Sequence, residues 1–274
     1  MDSAFPALTT AAQTQSTACY SNKYRTAERI LQSFNTWAFK REQPSDPQLM
    51  LAFIVRALER HEPIRFVLYW GKGPRHALAS PDVQCLDYLA RLARRVRETY
   101  PRGASINLLF TDTHAELNGY QAEETEQYFN AVEESAAERG FHCFRLGRLG
   151  TAVGHTAGST PCDVVATETL RRLSRCAEKW YKGDGTAEGG ALKYFEMNMR
   201  EKRAVEQAFP HSIFVTFNSS ENRILFPDRL PVFYMYSLKK GTAVKPWFLS
   251  EETPASDQLA GPRGAPLGSS ALNP

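Results

Sequence analysis

Residues 63–82 read PIRFVLYWGKGPRHALASPD. Ile64–Trp70 is a short apolar run, interrupted only by Arg65 near its start and closed by Pro63 on one side and Gly71 on the other, the pattern of a buried strand of a parallel sheet. Gly71, Lys72, Gly73, Pro74 and Arg75 then make a loop, and Ser80-Pro81-Asp82 opens a helix with a capping residue, a first-turn proline and an acid at the positive end of the helix dipole. Ligands of open α/β sheets sit beyond the carboxyl ends of the strands, so Lys72 and Arg75 stand where a ligand is expected. The same loop also reads as an ordinary turn carrying a solvated lysine.

Upstream, Tyr24–Phe39 spaces Ala27, Ile30, Leu31, Phe34 and Ala38 as one face of a helix. Asp46 then caps a second helix with Pro47 at its first position and Leu49, Phe53, Ile54, Ala57 and Leu58 turned inward. Downstream, the Ser80 helix buries Cys85, Leu86, Leu89, Leu92, Ala93 and Val96, leaving Arg91, Arg94, Arg95 and Arg97 as its solvated side. Ala104–Thr111 is a second buried strand that runs into Asp112-Thr113-His114. Tyr120–Arg139 is an acidic helix with Gly140 at its end, and Phe141–Leu146 is a third strand. Strand and helix alternate, which predicts a Rossmann-like α/β fold: a mostly parallel sheet flanked by helices.

Gly147–Gly158 is a glycine-rich segment holding Arg148 and His155, either a lid or a long loop, and helices are expected near 161–180 and 191–209. The close of the chain is predicted to be β-rich from about residue 211, with strands over Ser212–Phe217, Ile224–Phe226 and Val232–Leu238 and a polar turn over Asn218–Asn222. These strands either add an antiparallel sheet or extend the main one. Composition marks 1–22 and 252–274 for disorder around a single α/β domain over 23–251.

The charge balance is 33 basic against 30 acidic side chains, a net +3, which speaks against nucleic acid or an anionic membrane as partner. No apolar run is long enough to span a bilayer, and residues 1–20 lack the basic start and apolar core of a secretory signal, so the expected location is cytoplasmic. Cys19, Cys85, Cys143, Cys162 and Cys176 form no C-x-x-C pair, and the histidines are dispersed; free thiols and no tightly bound metal are predicted. Dinucleotide, Walker-type and serine-hydrolase motifs are absent.

What remains is a rim of polar groups at strand ends. Lys72 and Arg75 follow the first strand, Asp112 and His114 the second, and Arg145 with Arg148 the third. Cations, a carboxylate and an imidazole on one rim suit an anionic, phosphate-bearing substrate and general acid–base chemistry. Asn198 and Glu201 share a helix face and can point into a site, although a solvated face is the favoured reading of Asn198–Arg203. Asn218, Ser219 and Ser220 leave a strand and are suited to hydrogen-bonding hydroxyls or phosphate.

FVLYWGKGPR (66–75) with Pro81-Asp82, YPRGASINLLFTDTH (100–114), FPHSIFVTFNSS (209–220) and KPWF (245–248), in that order, resemble the isocyanide (isonitrile) synthase family, which has members in paerucumarin biosynthesis and in fungal dityrosine spore-wall formation. The chain departs from the family at Thr113, where a glycine is usual, at Asn218-Ser219 in place of His-Pro, and at Lys245-Pro246-Trp247-Phe248 in place of Thr-Pro-Trp-His. The resemblance implies an enzyme of specialised metabolism that condenses the amine of an amino acid with the ketone of ribulose 5-phosphate, the co-substrate, with no cofactor. It implies Lys72, Asp112 and His114 as the catalytic set, with Asp112 and His114 moving protons. Lys72, Arg75 and Arg145 would hold phosphate or carboxylate, Asn218 and Ser220 would hold substrate hydroxyls, and Arg148 and Lys245 would complete the binding site. A downstream iron-dependent oxygenase would be the partner enzyme. Two alternatives stand beside it: another transferase using a phosphosugar or nucleotide-linked donor, and a non-catalytic binding protein on the same scaffold.

Overall fold

Ile64–Trp70 forms β1 with the limits its sequence predicts. A computed structural model describes residues 9–72, 76–152 and 163–236; Arg75, Lys245, the expected tail, much of the expected lid and the far end of the strand expected over Val232–Leu238 lie outside them. Two helices precede β1: α1 (Thr9–Phe34) and α2 (Pro47–Arg60). After it come α3 (Ser80–Thr99), β2 (Ala104–Phe110), α4 (Asp112–Leu117), α5 (Ala122–Ala137) and β3 (His142–Arg145). The chain continues through α6 (Leu146–Ala152), α7 (Asp163–Trp180), α8 (Ala187–Ala208), β4 (Ile213–Thr216), a 3-10 helix (Ser220–Leu225) and β5 (Val232–Tyr234).

The strands form one sheet in the order β3-β2-β1-β4-β5, every pair parallel. β1 is central: it pairs with β2 from Ile64↔Ala104 to Trp70↔Phe110, and with β4 at Phe66↔Ile213 and Val67↔Phe214. Its side chains divide by the strand period of two. Ile64, Phe66, Leu68 and Trp70 enter a core with α1, α2, α3 and α5, whereas Val67 and Tyr69 enter a second core with α6, α8 and β5. Coverage of both faces is why β1 is apolar from Phe66 to Trp70, with exposed Arg65 at its start. Trp70 is fully buried and donates from Nε1 to the Tyr128 hydroxyl at 3.3 Å; truncating such a ring costs about 3–5 kcal/mol.

Several expectations are corrected. α1 runs from Thr9 to Phe34, whereas the spacing of apolar residues predicts a helix over Tyr24–Phe39. The cap of α3 is Ala79, one residue before Ser80, because the Asp82 carboxylate reaches back to the Ala79 backbone N–H at 3.0 Å. Of the two arrangements open to the close of the chain, the second is found among the described residues: β4 and β5 extend the main sheet, in parallel, beside an antiparallel bridge between Lys40 and Met235. Ile224 and Leu225 lie in the 3-10 helix that serves as the β4–β5 crossover, packed against α8. Asp46 caps α2 as expected, accepting from the Leu49 N–H at 2.8 Å. No helix among the described residues is long and apolar enough to cross a membrane.

Candidate active site

With β2 on one side of β1 and β4 on the other, the sheet has its topological switch between β1 and β4, and a crevice beyond the carboxyl ends is the natural ligand site. The segments leaving that edge are Gly71-Lys72 after β1, α4 after β2, α6 after β3, and Phe217–Ser219 after β4. α8 packs on α4, α6 and the 3-10 helix, so its inward face roofs these ends.

His114, on α4, is buried, and its Nε2 lies 2.7 Å from Glu201 Oε2 on α8. Thr113 Oγ1 donates to the other carboxylate oxygen. Tyr194 and Asn198 precede Glu201 at helical spacing and share its buried face, while Arg200 is exposed. The His114 ring meets Tyr194 edge-on at 5.0 Å and Tyr69 at 6.3 Å between centroids. Burial raises both phenols above their usual range, and the Glu201 carboxylate raises them further. Both tyrosines are therefore neutral hydroxyls. The solvated-face reading of this part of α8 is overturned for Asn198, Glu201 and Lys202, all buried; Lys202 Nζ donates to the Ile224 carbonyl and to Asp228.

A group of buried polar atoms in the same region has no hydrogen-bond partner among the described residues: Tyr69 Oη, His114 Nδ1, Asn198 Oδ1, Asn218 Oδ1, Ser219 Oγ and Asn222 Oδ1. An unpaired buried polar atom costs about 1–3 kcal/mol. Several of them, gathered on segments at the carboxyl ends of β1, β2 and β4 and on the helix above, are what a polar ligand site requires.

The other expected residues are placed as follows. The Lys72 side chain is wholly enclosed, its Nζ 2.7 Å from Glu124 Oε1 on α5 and 4.1 Å from the centre of the Tyr120 ring. The hydrogen bond from Lys72 draws the Glu124 carboxyl below its ordinary range, and exposed His76 reaches the same oxygen. Arg145 pairs with Glu126 at 3.0 Å and Glu133 at 3.2 Å, donates to Asn130 Oδ1 at 2.8 Å, and lies over the Phe110 ring. Exposed Arg148 and Arg145 line a cavity of about 280 Å³ with Glu126, Glu133 and Cys143; the residues around His114 do not line it. Burial raises the Cys143 thiol to about 12, so it is not a thiolate nucleophile.

Asp112 Oδ1 accepts from the Gly147 N–H at 2.9 Å and so fastens the start of α6 to α4. A Cβ at Gly147 would lie 3.0 Å from Asp112 Oδ2, which explains the glycine. Asn218 is buried, as a site residue should be, but Ser220 is exposed and donates from N and Oγ to Glu42 at 2.9 and 2.6 Å. The structure thus brings His114 together with Glu201, Tyr69, Tyr194 and Asn198. Lys72 and Arg145 are held separately by α5 carboxylates. Tyr69 was hidden in the sequence inside a buried strand. Among the described residues no three His, Cys, Asp or Glu side chains gather as metal ligands.

No protein-family model and no curated protein matches the chain. Among solved structures, the PvcA protein from Pseudomonas aeruginosa is similar with a TM-score of 0.59 and 16% identity, over 81% of this chain and 87% of that one. A tyrosyl-tRNA synthetase from Leishmania major in complex with tyrosinol aligns at TM-score 0.43 and 11% identity, over 82% of this chain and 33% of that one. A tryptophanyl-tRNA synthetase homolog from Entamoeba histolytica aligns at 0.38 and 10%, over 80% and 62%. The last two scores fall below the level at which a common fold is established. What this chain shares with PvcA, at that distance in sequence, is its fold.

Proposed function

We propose that this protein is an isonitrile synthase-like enzyme that condenses the amine of an amino acid with the ketone of ribulose 5-phosphate and retains one carbon as the isocyanide. PvcA, with which it shares its fold, is an isonitrile synthase in paerucumarin biosynthesis. The observation that carries the reading is the set of buried polar atoms without a partner among the described residues, Tyr69 Oη, His114 Nδ1, Asn218 Oδ1 and Ser219 Oγ, on segments at the carboxyl ends of β1, β2 and β4. Condensation needs an amine freed of its proton, a carbonyl carbon within reach, and shelter from bulk water. The buried site, roofed by α8, supplies the shelter. Asn218 and Ser219 hold sugar hydroxyls, and His114 takes the proton. Lys72, Arg75 and Arg145 receive phosphate or carboxylate; for Lys72 and Arg145 the anion exchanges with Glu124, Glu126 and Glu133. No cofactor is required beyond the co-substrate, and an iron-dependent oxygenase acting on the isonitrile is the downstream partner.

The test is incubation of the purified protein with ribulose 5-phosphate and a pool of amino acids, followed by mass spectrometry. The reading predicts one amino acid that gains a carbon and loses two hydrogens. The ion-paired state of Lys72 and Arg145 favours a second reading, a binding protein without phosphosugar chemistry. Saturable binding of an amino acid with no such product, and no binding of ribulose 5-phosphate, would establish that reading instead.

A further inference from the structure

The carboxylate above His114 does more than fill space. Both Glu201 oxygens are occupied: Oε1 accepts from the Thr113 hydroxyl, and Oε2 lies 2.7 Å from His114 Nε2. An ionised carboxylate only accepts, so the imidazole nitrogen facing it must carry the hydrogen. In the neutral imidazole that leaves Nδ1 with a free lone pair. Nδ1 and the Tyr69 hydroxyl are buried and have no partner among the described residues, and the ring meets both Tyr194 and Tyr69 edge-on. Asp112, the acid next to His114 in sequence, is engaged with the Gly147 N–H.

We propose that His114 accepts the substrate proton through Nδ1 and that Glu201, seated by Thr113, is its positioning residue. The inference rests on the reading of this site as an amine-condensing centre. In the step, the N–H bond of the bound ammonium breaks, its electron pair stays on the amine nitrogen, and the proton forms a bond to Nδ1. The imidazole becomes an imidazolium whose Nε2–H still donates to Glu201, so the new positive charge arises beside a fixed negative one. The proton-transfer unit is then assembled from α4 and α8, two elements far apart in the chain. Tyr69 and Tyr194, kept neutral, wall the ring without competing for the charge.

Nitrogen-15 spectra of the imidazole side chains test the geometry without any substrate. His114→Gln identifies the relevant signals among the 6 histidines. The wild-type protein near neutral pH should show His114 as the single Nε2–H tautomer, and Glu201→Ala should show both tautomers. An Nδ1–H tautomer in the wild type, or an unchanged single tautomer in Glu201→Ala, overturns the proposal. The wild-type spectrum decides even if that variant folds poorly. In turnover, His114→Gln should lose at least about 100-fold and Glu201→Ala at least about tenfold in kcat with KM little changed. Turnover of His114→Gln within threefold of wild type would also overturn it. If the wild type itself forms no isonitrile, the proposed function and the acceptor role fail together, while the tautomer result still reports whether Glu201 positions the ring.

Discussion

Lys72 Nζ stands 2.7 Å from Glu124 Oε1, with the lysine side chain wholly enclosed and the glutamate still partly open to water. The two partners are therefore not equivalent. Removing Glu124 strands an ammonium in the interior, whereas removing Lys72 frees a carboxylate that can hydrate. Glu124→Gln should cost about 1.5–3 kcal/mol, and Lys72→Met less than half of that, because a linear apolar chain refills the space. Urea midpoints of the two variants check the order; a Lys72→Met cost equal to or above that of Glu124→Gln would refute it. The Glu124 carboxyl is held below its ordinary value, so its contribution is present above the unfolded carboxylate pKa and is lost as pH falls through the lowered folded value. The stability gap between wild type and Glu124→Gln should accordingly close on acidification below pH about 4.

Tyr69 carries a buried hydroxyl without a partner among the described residues. Tyr69→Phe removes an unmet polar atom while keeping the ring against Phe214 and His114. The variant should be as stable as wild type or up to about 1 kcal/mol more stable, and less active, the signature of a group kept for function at the expense of stability. Thermal unfolding decides it: a loss of more than about 1 kcal/mol would mean that the hydroxyl is a structural donor.

Gly147 meets Asp112 so closely that a methyl group would press on the carboxylate at 3.0 Å and on Thr113 Cγ2 at 3.3 Å. Gly147→Ala should cost about 1–3 kcal/mol and, by pushing α4, disturb the Thr113–Glu201 contact. Asp112→Asn keeps an oxygen for the Gly147 N–H and should change stability by less than about 1 kcal/mol. It should also keep most of the activity if Asp112 fastens α6 rather than moving protons. Loss of turnover in a fully folded Asp112→Asn would return Asp112 to the catalytic set.

The core of the fold was open to reading because its signals are local. Pro63, the apolar residues of Ile64–Trp70 and Gly71 define β1 without reference to anything else, and Asp46-Pro47 marks the start of α2 in the same way. In the last third the two strands were legible, but the segment between them was misread as a turn and a further strand because its signals are not local. Asn218–Asn222 has the composition of a hairpin turn, but β4 is claimed by β1 through Phe66 and Val67, and that parallel pairing leaves β5 only a crossover position. The site divides along the same line. His114 follows from its place at a strand end, whereas the charged run 200–203 looks solvated until α4 packs on α8 and turns Glu201 inward. The pairing of Arg145 had a signal that went unused: Glu126, Asn130 and Glu133 recur at helical spacing on α5, directly before the strand that ends in Arg145.

The proposed function requires that ligands are met at the carboxyl ends of β1, β2 and β4, where His114, Asn218 and Ser219 lie. Amide and side-chain NMR signals followed during addition of ribulose 5-phosphate test this most directly. Asn198, Asn218 and Ser219 should shift in a saturable way, together with the His114 ring, while Ile64 and His211 at the opposite end of the sheet should stay in place. Shifts confined to Ile64, His211 or the Arg148 cavity, with the signals of Asn198 and Asn218 unmoved, would contradict it.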